Sequence, residues 1–235
     1  MSNRVQAIDA GSRQAEQAAG RPAGEVQLLA VSKTMPAAAI REAFAAGQLR
    51  FGENYVQEAV EKMAELADLP LEWHFIGPIQ SNKTRPIAEH FDWVHGISRL
   101  KIAQRLNDAR PDHLPPLQAC IEINVSAESS KEGVAPAEVL QLARAIELLP
   151  RLRLRGLMAI PAPTRDIALQ RQSFRMLREL LLSLNQQGLH LDTLSMGMSH
   201  DFPAAIAEGA TIVRIGTAIF GARKKVGEGG QEAER

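Results

Sequence analysis

The stretch VQLLAVSKTMPAAAIREAFAAGQLRFGEN, residues 26–54, contains one complete repeat of the pattern that decides the fold. It begins with an apolar run, VQLLAVSK (26–33), which is typical of a buried strand. The next segment begins at Pro36 and ends at Gly47, the residue types expected at the start and the end of a helix. A second apolar run, LRFGEN (49–54), follows directly. The stretch therefore predicts a strand, a helix and a second strand.

The same alternation continues along the whole chain. Short apolar segments recur on average about every 26 residues, which is the length of a strand plus a helix. The predicted strands are 26–33, 49–54, 72–77, 92–97, 117–124, 152–160, 191–197 and 211–216. The predicted helices are 36–47, 55–68, 99–109, 136–149, 166–187 and 201–208. Eight such units predict an α/β fold, the (β/α)8 TIM barrel, with an open doubly wound sheet as the alternative.

The two ends of the chain have a different character. Residues 1–20 are predicted to form an extra N-terminal helix with a weak apolar face. The tail, residues 223–235, is polar and rich in glycine, which predicts disorder. Residues 1–222 are predicted to form a single domain because no linker divides them. A dinucleotide-binding open sheet is disfavoured, since no G-x-G-x-x-G follows the first strand.

The composition excludes several classes of function. The chain of 235 residues has 27 basic and 27 acidic residues, so it lacks the positive charge that nucleic acids and anionic membranes require. Its single cysteine, Cys120, can form neither an internal disulfide nor a zinc cage, and its mid-strand position predicts a small buried side chain. The histidines show no metal-site spacing. Without a membrane-spanning run or a signal-type apolar core, the chain is expected to be soluble and cytoplasmic.

The first candidate functional residue is Lys33, at the end of the first predicted strand. Strand alternation places it on the same face as Leu29 and Val31. Functional residues of a parallel barrel gather at the C-terminal ends of the strands. If this face points inward, the amine enters the barrel mouth, where a desolvated lysine can form a Schiff base with a carbonyl. The alternative is a strand-end lysine that reaches water.

A second group of candidates follows the seventh and eighth strands. Ser199 is predicted to cap a helix, whose N-terminus either binds phosphate or is an ordinary capped end. In RIGTAIFG (214–221), Gly216 and Thr217 offer N–H groups and a hydroxyl. Arg214 shares the face of Gly216, and its alternative role is an ion pair inside the barrel. Because the first and eighth strands are neighbours in a closed barrel, a phosphorylated aldehyde fits between the two groups.

Longer stretches of the chain, taken together, carry a family resemblance. They are LLAVSKTMP (28–36), FGENYVQE (51–58), EWHFIGPIQSNKTR (72–85), INVSAESSKEG (123–133), RGLMAIPAP (155–163) and LSMGMSHDFPAAIAEGATIVRIGTAIFGAR (194–223). Over roughly residues 20 to 223 the chain resembles the pyridoxal phosphate homeostasis proteins, the YggS/PROSC family. The resemblance implies a single barrel similar to the N-terminal domain of alanine racemase. It also implies that the barrel binds pyridoxal 5′-phosphate (PLP) as a Schiff base.

The resemblance also implies roles for individual residues. It assigns the Schiff base to Lys33, the phosphate contacts to Ser199, Gly216 and Thr217, the pyridine nitrogen to Arg214, and the neighbourhood of the ring to Asn54. It implies no catalytic residue and no metal. The implied partners are PLP and PLP-dependent apoenzymes, and the implied state is a monomer. The implied function is the regulation of PLP (vitamin B6) and amino-acid pools without established catalysis.

Two enzymatic alternatives stay open at this point. A low-activity amino-acid racemase needs a second base, and the only tyrosine, Tyr55, has packing as its favoured role. A cation such as Arg214 beside the pyridine nitrogen weakens PLP as an electron sink, but alanine racemase has the same type of partner, so the need for a second base is the stronger argument against a racemase. A Schiff-base aldolase that acts on a phosphorylated sugar would use Lys33 without a cofactor.

The remaining polar and aromatic side chains are less specific. His74 and His95 either line the mouth or lie in the core. Lys83 and Arg85 guard the pocket, contact a partner or are solvated, and solvation is favoured. Both tryptophans, at positions 73 and 93, are predicted to point outward beneath helices.

Overall fold

The eight predicted strands form a closed parallel barrel in the order in which they occur in the chain. The computed structural model describes residues 1–125 and 133–221. The strands are β1 (Gln27–Val31), β2 (Arg50–Glu53), β3 (Glu72–Phe75), β4 (Trp93–Ile97), β5 (Leu117–Glu122), β6 (Leu152–Met158), β7 (Thr193–Ser195) and β8 (Ile212–Ile215). Strand β1 closes the barrel by pairing with β8, with Gln27 opposite Ile212. The predicted TIM barrel is confirmed, and the open sheet is excluded.

Helices surround the barrel and connect its strands. They are α1 (Ser2–Ala18), α2 (Ala37–Ala45), α3 (Val56–Glu65), α4 (Thr84–His90), α5 (Leu100–Ala109), α6 (Val139–Glu147), α7 (Ile167–Gln186), α8 (Phe202–Ala207) and α9 (Thr217–Phe220). Helix α1 confirms the predicted extra N-terminal helix. Within residues 1–125 and 133–221, no helix is both long and apolar enough to span a membrane. The predicted tail, residues 223–235, lies outside the described residues, as does the predicted domain boundary at residue 222.

Helices α4 and α9 are the two that the sequence pattern did not predict. Helix α4 has seven residues, includes Pro86 in its first turn and continues directly from a 3-10 turn over Ser81–Lys83. Helix α9 has only four residues. Segments of this length complete too few turns to show a helical period, and proline is tolerated only in a first turn.

The outer core lies between the strands and the helices and is built from large aromatic side chains. Phe51 packs against Trp73 with a centroid distance of 5.9 Å, and Phe75 meets Phe91 edge-on at 5.3 Å. Burial of each such side chain contributes roughly 1.5–3 kcal/mol. Trp73 therefore points outward, as predicted. The parallel strands are covered on both faces, which explains why they read as continuous apolar runs.

The barrel interior has its own small apolar cluster. Its buried members are Leu29, Trp93, Cys120, Met158 and Ile212. Trp93 points inward, where its ring stacks on His74 at 5.3 Å and lies beneath the Arg155 guanidinium. The prediction of an outward Trp93 is wrong because all five residues of β4 are buried, so burial gives no sign of which face is which. Cys120 is fully buried as predicted, and burial raises the pKa of its thiol to about 12.

Candidate functional site

A cavity of about 280 Å³ opens where the C-terminal ends of the strands meet. It is lined by Val31, Lys33, Asn54, Ile76, Ile160, Met198, Ser199, His200, Arg214, Gly216 and Thr217. Every residue to which the resemblance assigns a cofactor contact is in this lining, although these residues come from four separate parts of the chain. The structure thus brings them around one cavity, and their contacts with a cofactor stay a prediction.

Lys33 enters the cavity from the segment that follows β1, and the backbone on both sides of it is held in place. Lys62 Nζ donates a hydrogen bond to the carbonyl oxygen of Ser32 at 2.9 Å. On the other side, the Thr34 N–H donates to Glu58 Oε1 at 2.6 Å. Thr34 has a φ of 65°, a left-handed conformation that costs a non-glycine residue about 1–2 kcal/mol. These contacts hold the backbone in a conformation that it would not otherwise prefer.

A buried ion-pair network supports this segment from below. Glu53 is completely buried, and its Oε1 accepts hydrogen bonds from Lys62 Nζ at 2.9 Å and from Ser32 Oγ at 2.6 Å. The same ammonium contacts Glu58 at 2.5 Å. Burial raises the pKa of the Glu53 carboxyl, and the charge of Lys62 opposes that rise. The network was not predicted, although Glu58 and Lys62 have the i,i+4 spacing of a helical ion pair.

Arg214 is 4% exposed and lies at the floor of the cavity. Its Nη1 donates to Ser195 Oγ at 2.7 Å and to the Ser195 carbonyl oxygen at 2.6 Å, while Nη2 donates to the Ala159 carbonyl oxygen at 2.9 Å. Burial lowers the pKa of this guanidinium to about 10, and the carboxylates of Glu122 and Asp201 limit the drop. Arg214 is therefore a cation at neutral pH whose orientation is fixed by neutral groups.

The cavity edge formed by the segments after β7 and β8 carries small polar groups. The helix cap here is Asp201 rather than Ser199, and helix α8 begins at Phe202. The predicted cap is wrong because Asp201 takes that position and accepts a hydrogen bond from the Met198 N–H at 2.6 Å. Gly197, with a φ of 93°, supplies the left-handed turn that precedes this cap. Ser199 consequently lies before the helix, in the cavity lining.

The segment after β8 adds Gly216 and Thr217 to the same edge. Gly216 is the cap of α9, and Thr217 is the first residue of that helix. A Cβ at Gly216 would lie 3.4 Å from Val31, in contact with the end of β1. That distance is an ordinary van der Waals contact, so Gly216 packs against β1 while it lines the cavity.

Asn54 lines the cavity near Lys33 and has an unsatisfied polar atom. Among the described residues, its buried Oδ1 has no hydrogen-bond partner. A buried acceptor without a partner is uncommon and is typical of a position where a water or a ligand group donates the missing hydrogen bond. Gly77, two residues after β3, allows the backbone of Asn54 to approach because a Cβ at position 77 would lie 2.6 Å from the Asn54 carbonyl oxygen.

Comparisons with known proteins identify the family. The alanine racemase N-terminal domain family matches residues 4–224. A pyridoxal phosphate homeostasis protein of Pseudomonas aeruginosa is 65% identical over 223 residues, which cover 95% of this chain and 96% of that protein. The chain belongs to the pyridoxal phosphate homeostasis proteins. The family predicted from the sequence is thereby confirmed.

Two further relatives agree with this assignment. A pyridoxal phosphate homeostasis protein of Escherichia coli K12 is 59% identical over 207 residues, 87% of this chain and 88% of that protein. The structure of PipY from Synechococcus elongatus with PLP bound is 43% identical, with a TM-score of 0.80 over 89% of this chain and 98% of that one. These relatives are named for homeostasis or for PLP binding rather than for a catalysed reaction.

Other residues considered from the sequence lie outside the cavity of this family member. Tyr55 precedes α3 and is not part of the lining, and its exposure of 56% shows that the favoured packing role is wrong. Lys83 ends the turn after β3, and Arg85 faces Glu89 at 3.7 Å on the surface. Both are exposed, which fits their interpretation as solvated charges. In the described part of the chain, no cluster of three or more acidic, histidine or cysteine side chains could hold a metal ion.

His74 and His95 lie in the core of the barrel and are completely buried. Their rings are joined by a hydrogen bond of 2.9 Å between Nδ1 of His74 and Nε2 of His95. The sequence placed both at strand positions but did not show that they touch each other. The available signal was that consecutive predicted strands, which are neighbours in a closed barrel, each carry a histidine near the C-terminal end: His74 lies three positions before the end of 72–77, and His95 lies two positions before the end of 92–97.

Proposed function

We propose that this chain is a PLP carrier that holds the cofactor through Lys33 and passes it to PLP-dependent apoenzymes. The observation that carries the proposal is the shared cavity: the amine of Lys33 and the guanidinium of Arg214 line one space with the polar groups of Ser199, Gly216 and Thr217. PipY, a relative with its structure determined in complex with PLP, supports the choice of ligand. In this way the chain would regulate the supply of PLP and the amino-acid pools that depend on it.

The chemistry of the cavity fits PLP group by group. Its volume of about 280 Å³ is at the small end for ligand sites, as a single-ring cofactor requires. Ser199, Gly216 and Thr217 offer hydroxyls and backbone N–H groups to a phosphate. Arg214 would offer a donor to the ring nitrogen. The unsatisfied Asn54 Oδ1 marks a place where a ligand group supplies the missing partner.

Bound PLP supplies an aldehyde that links reversibly to an amine. Lys33 provides that amine, and its flanking backbone is fixed by Lys62 and Glu58. Arg214 provides a permanent positive charge, and a cation beside the ring nitrogen lowers the pKa of that nitrogen and keeps it unprotonated. Its contacts with Ser195 and Ala159 are its only hydrogen bonds to described residues, and they use three of the five guanidinium N–H bonds. Two donors are therefore left for the ligand.

A carrier accounts for this site better than a racemase does. An unprotonated ring is a weak electron sink, so removal of a proton from an amino acid receives little stabilisation. No tyrosine is among the described residues that line the cavity.

We also propose a cytoplasmic location and a monomeric state, both of which suit a protein that exchanges a small cofactor with many enzymes. Sedimentation and a PLP-transfer assay with an apoenzyme test the state and the partner.

The absorption spectrum after incubation with PLP tests the carrier directly. Wild type is expected to develop a yellow band that Lys33→Ala lacks, while Lys83→Ala, which changes an exposed lysine away from the cavity, retains it. If wild type develops no band, PLP is not the ligand of this cavity. A band that persists in Lys33→Ala moves the linkage to another lysine. A separate measurement distinguishes carrier from enzyme, because a racemase would place solvent deuterium at Cα of an added amino acid.

A further inference from the structure

A continuous chain of polar side chains runs through the barrel interior beneath the cavity. Arg214 Nη1 lies 2.7 Å from Ser195 Oγ, which lies 2.8 Å from His95 Nδ1. His95 Nε2 lies 2.9 Å from His74 Nδ1, and His74 Nε2 lies 2.8 Å from Glu72 Oε1. Apart from Arg214, none of these side chains lines the cavity. This series of hydrogen-bonded side chains ends at Glu72, which is partly exposed at the opposite end of the barrel.

The chemistry of the two ends sets the direction of every hydrogen bond in this chain. A guanidinium only donates, so Ser195 Oγ accepts from Arg214 and its own hydroxyl hydrogen is directed to His95 Nδ1. His95 is then an acceptor at Nδ1 and a donor at Nε2. His74 follows the same pattern and donates from Nε2 to the carboxylate of Glu72. One tautomer of each histidine thus satisfies the whole chain, an assignment that follows from the hydrogen-bond network.

Both histidines are neutral in this arrangement. Burial is the main cause of the lowered pKa of both His74 and His95, and the pKa of His95 is lowered further than that of His74. The Arg214 cation adds to the effect on His95. A chain of neutral rings could in principle carry protons. Here, however, it ends at a guanidinium, which has no lone pair to accept one. The chain can therefore orient Arg214, but it does not conduct a proton to the cavity.

We propose that His95 is a positioning residue that, through Ser195, holds Arg214 toward the ring nitrogen of the bound ligand. The inference rests on the proposed function and adds a specificity to it. The cavity should select an aromatic phosphate whose ring nitrogen accepts a hydrogen bond. Without His95, the Ser195 hydroxyl has no acceptor on that side and is free to rotate. The guanidinium then keeps its two carbonyl acceptors but loses the fixed hydroxyl, which is the one of its three contacts that depends on His95.

The test compares two ligands, PLP and the analogue in which carbon replaces the ring nitrogen. Dissociation constants are measured for the full-length wild type, for His95→Leu and for Met158→Leu. Met158 is buried in the barrel interior but is not one of the hydrogen-bonded side chains between Arg214 and Glu72. Its variant therefore controls for a general disturbance of the barrel. Wild type and Met158→Leu should prefer PLP by at least about tenfold, since one hydrogen bond to a charged group is at stake. In His95→Leu the preference should fall to about threefold or less on the same scale.

A second variant separates positioning from folding. His95→Asn retains an acceptor close to the position of Nδ1, so it should keep most of the preference for PLP. Should His95→Leu fail to fold by circular dichroism, Ser195→Ala breaks the chain one link closer to Arg214 and carries the same expectation. If these variants bind both ligands more weakly by the same factor, the hydrogen-bonded side chains have only a structural role, and the inference is overturned. An unchanged preference would overturn it as well.

The outcome for wild type distinguishes this inference from the proposed function. If wild type binds PLP and the carbon analogue equally well, the carrier proposal stands and the positioning of Arg214 is refuted. If wild type binds neither ligand, the proposed function itself fails, and the selectivity for a ring nitrogen fails with it.

Discussion

The two sides of the cavity are held by different kinds of interaction. On the Lys33 side, a buried ammonium, Lys62, joins two carboxylates and a backbone carbonyl. On the Arg214 side, a chain of neutral hydroxyl and imidazole groups runs from a buried cation to Glu72. The first side fixes a stretch of backbone in a strained conformation. The second fixes the direction of a single side chain.

This difference shows what each kind of interaction is suited for. Charges removed from water lose several kcal/mol of solvation each, so a buried network of ions is stable only while it is complete. Such a network resists the loss of any member strongly enough to hold a left-handed residue in place. Neutral hydrogen bonds contribute less each, but their donor and acceptor order can specify an orientation. Substitutions within the charged network should therefore cost more stability than substitutions on the neutral side.

The largest effect is expected from Lys62→Met. This change leaves the completely buried Glu53 carboxylate without its cation, and removal of one partner from a buried ion pair typically costs about 3–5 kcal/mol. The free energy of unfolding in urea should fall by that amount. Because the carbonyl of Ser32 also loses its donor, Lys33 should react more slowly with PLP.

The controls for this experiment are a single and a double variant. Lys101→Met removes an exposed lysine from α5 and should change stability by no more than about 0.5 kcal/mol. Adding Glu53→Gln to Lys62→Met should restore part of the loss, since the stranded charge is then gone. A loss below about 1 kcal/mol for Lys62→Met would contradict the view that the buried Glu53 carboxylate depends on the charge of Lys62.

The sequence is sufficient to predict the barrel and the positions of Lys33 and Arg214, but not the interactions that hold either side of the cavity. Apolar runs separated by amphipathic segments predict the barrel, because strands covered on both faces must be apolar. The convergence of strand ends then places Lys33 beside Arg214. These inferences need only local patterns and one topological rule.

The missed features depend on tertiary structure instead. Trp93 lies in a strand that is buried throughout, so its inward orientation depends on the closure of the barrel. Asp201 and Ser199 are both good caps, and only the path of the turn decides between them. The link between His74 and His95 depends on two strands placed side by side in register. None of these facts has a periodic signature within its own segment.

The next largest effect is expected on the neutral side, in the dependence of stability on acidic pH. The pKa values of both buried histidines are lowered in the folded protein, so the unfolded chain binds more protons below the ordinary value of about 6.5. The contribution of the two histidines to the free energy of unfolding is therefore fully present above about pH 6.5, and it is lost as the pH falls toward their lowered pKa values. Each histidine contributes a slope of up to about 1.4 kcal/mol per pH unit.

Urea unfolding of wild type and His95→Asn between pH 5 and 7.5 measures this slope, with the pH limits set roughly around the histidine range. The variant lacks one titrating ring, so the difference between the two free energies should shrink as the solution becomes more acidic. Glu53 and Asp92 have raised pKa values and act with the opposite sign. They are present in both proteins, so their contributions cancel in the difference. A difference that stays constant with pH would mean that His95 is not held neutral.

The smallest effect returns to the charged side, at Thr34→Gly. The φ of 65° at Thr34 costs about 1–2 kcal/mol, whereas glycine adopts it freely but loses about 0.5–1 kcal/mol in chain entropy. The N–H that bonds to Glu58 is kept, so the net change should be a gain of up to about 1.5 kcal/mol in the free energy of unfolding. Ala38→Gly, at an exposed helical position of α2 nearby, should instead lose about 0.5–1 kcal/mol. Opposite signs in urea unfolding would show that the ion-pair network imposes strain beside Lys33, whereas equal losses would show that it imposes none.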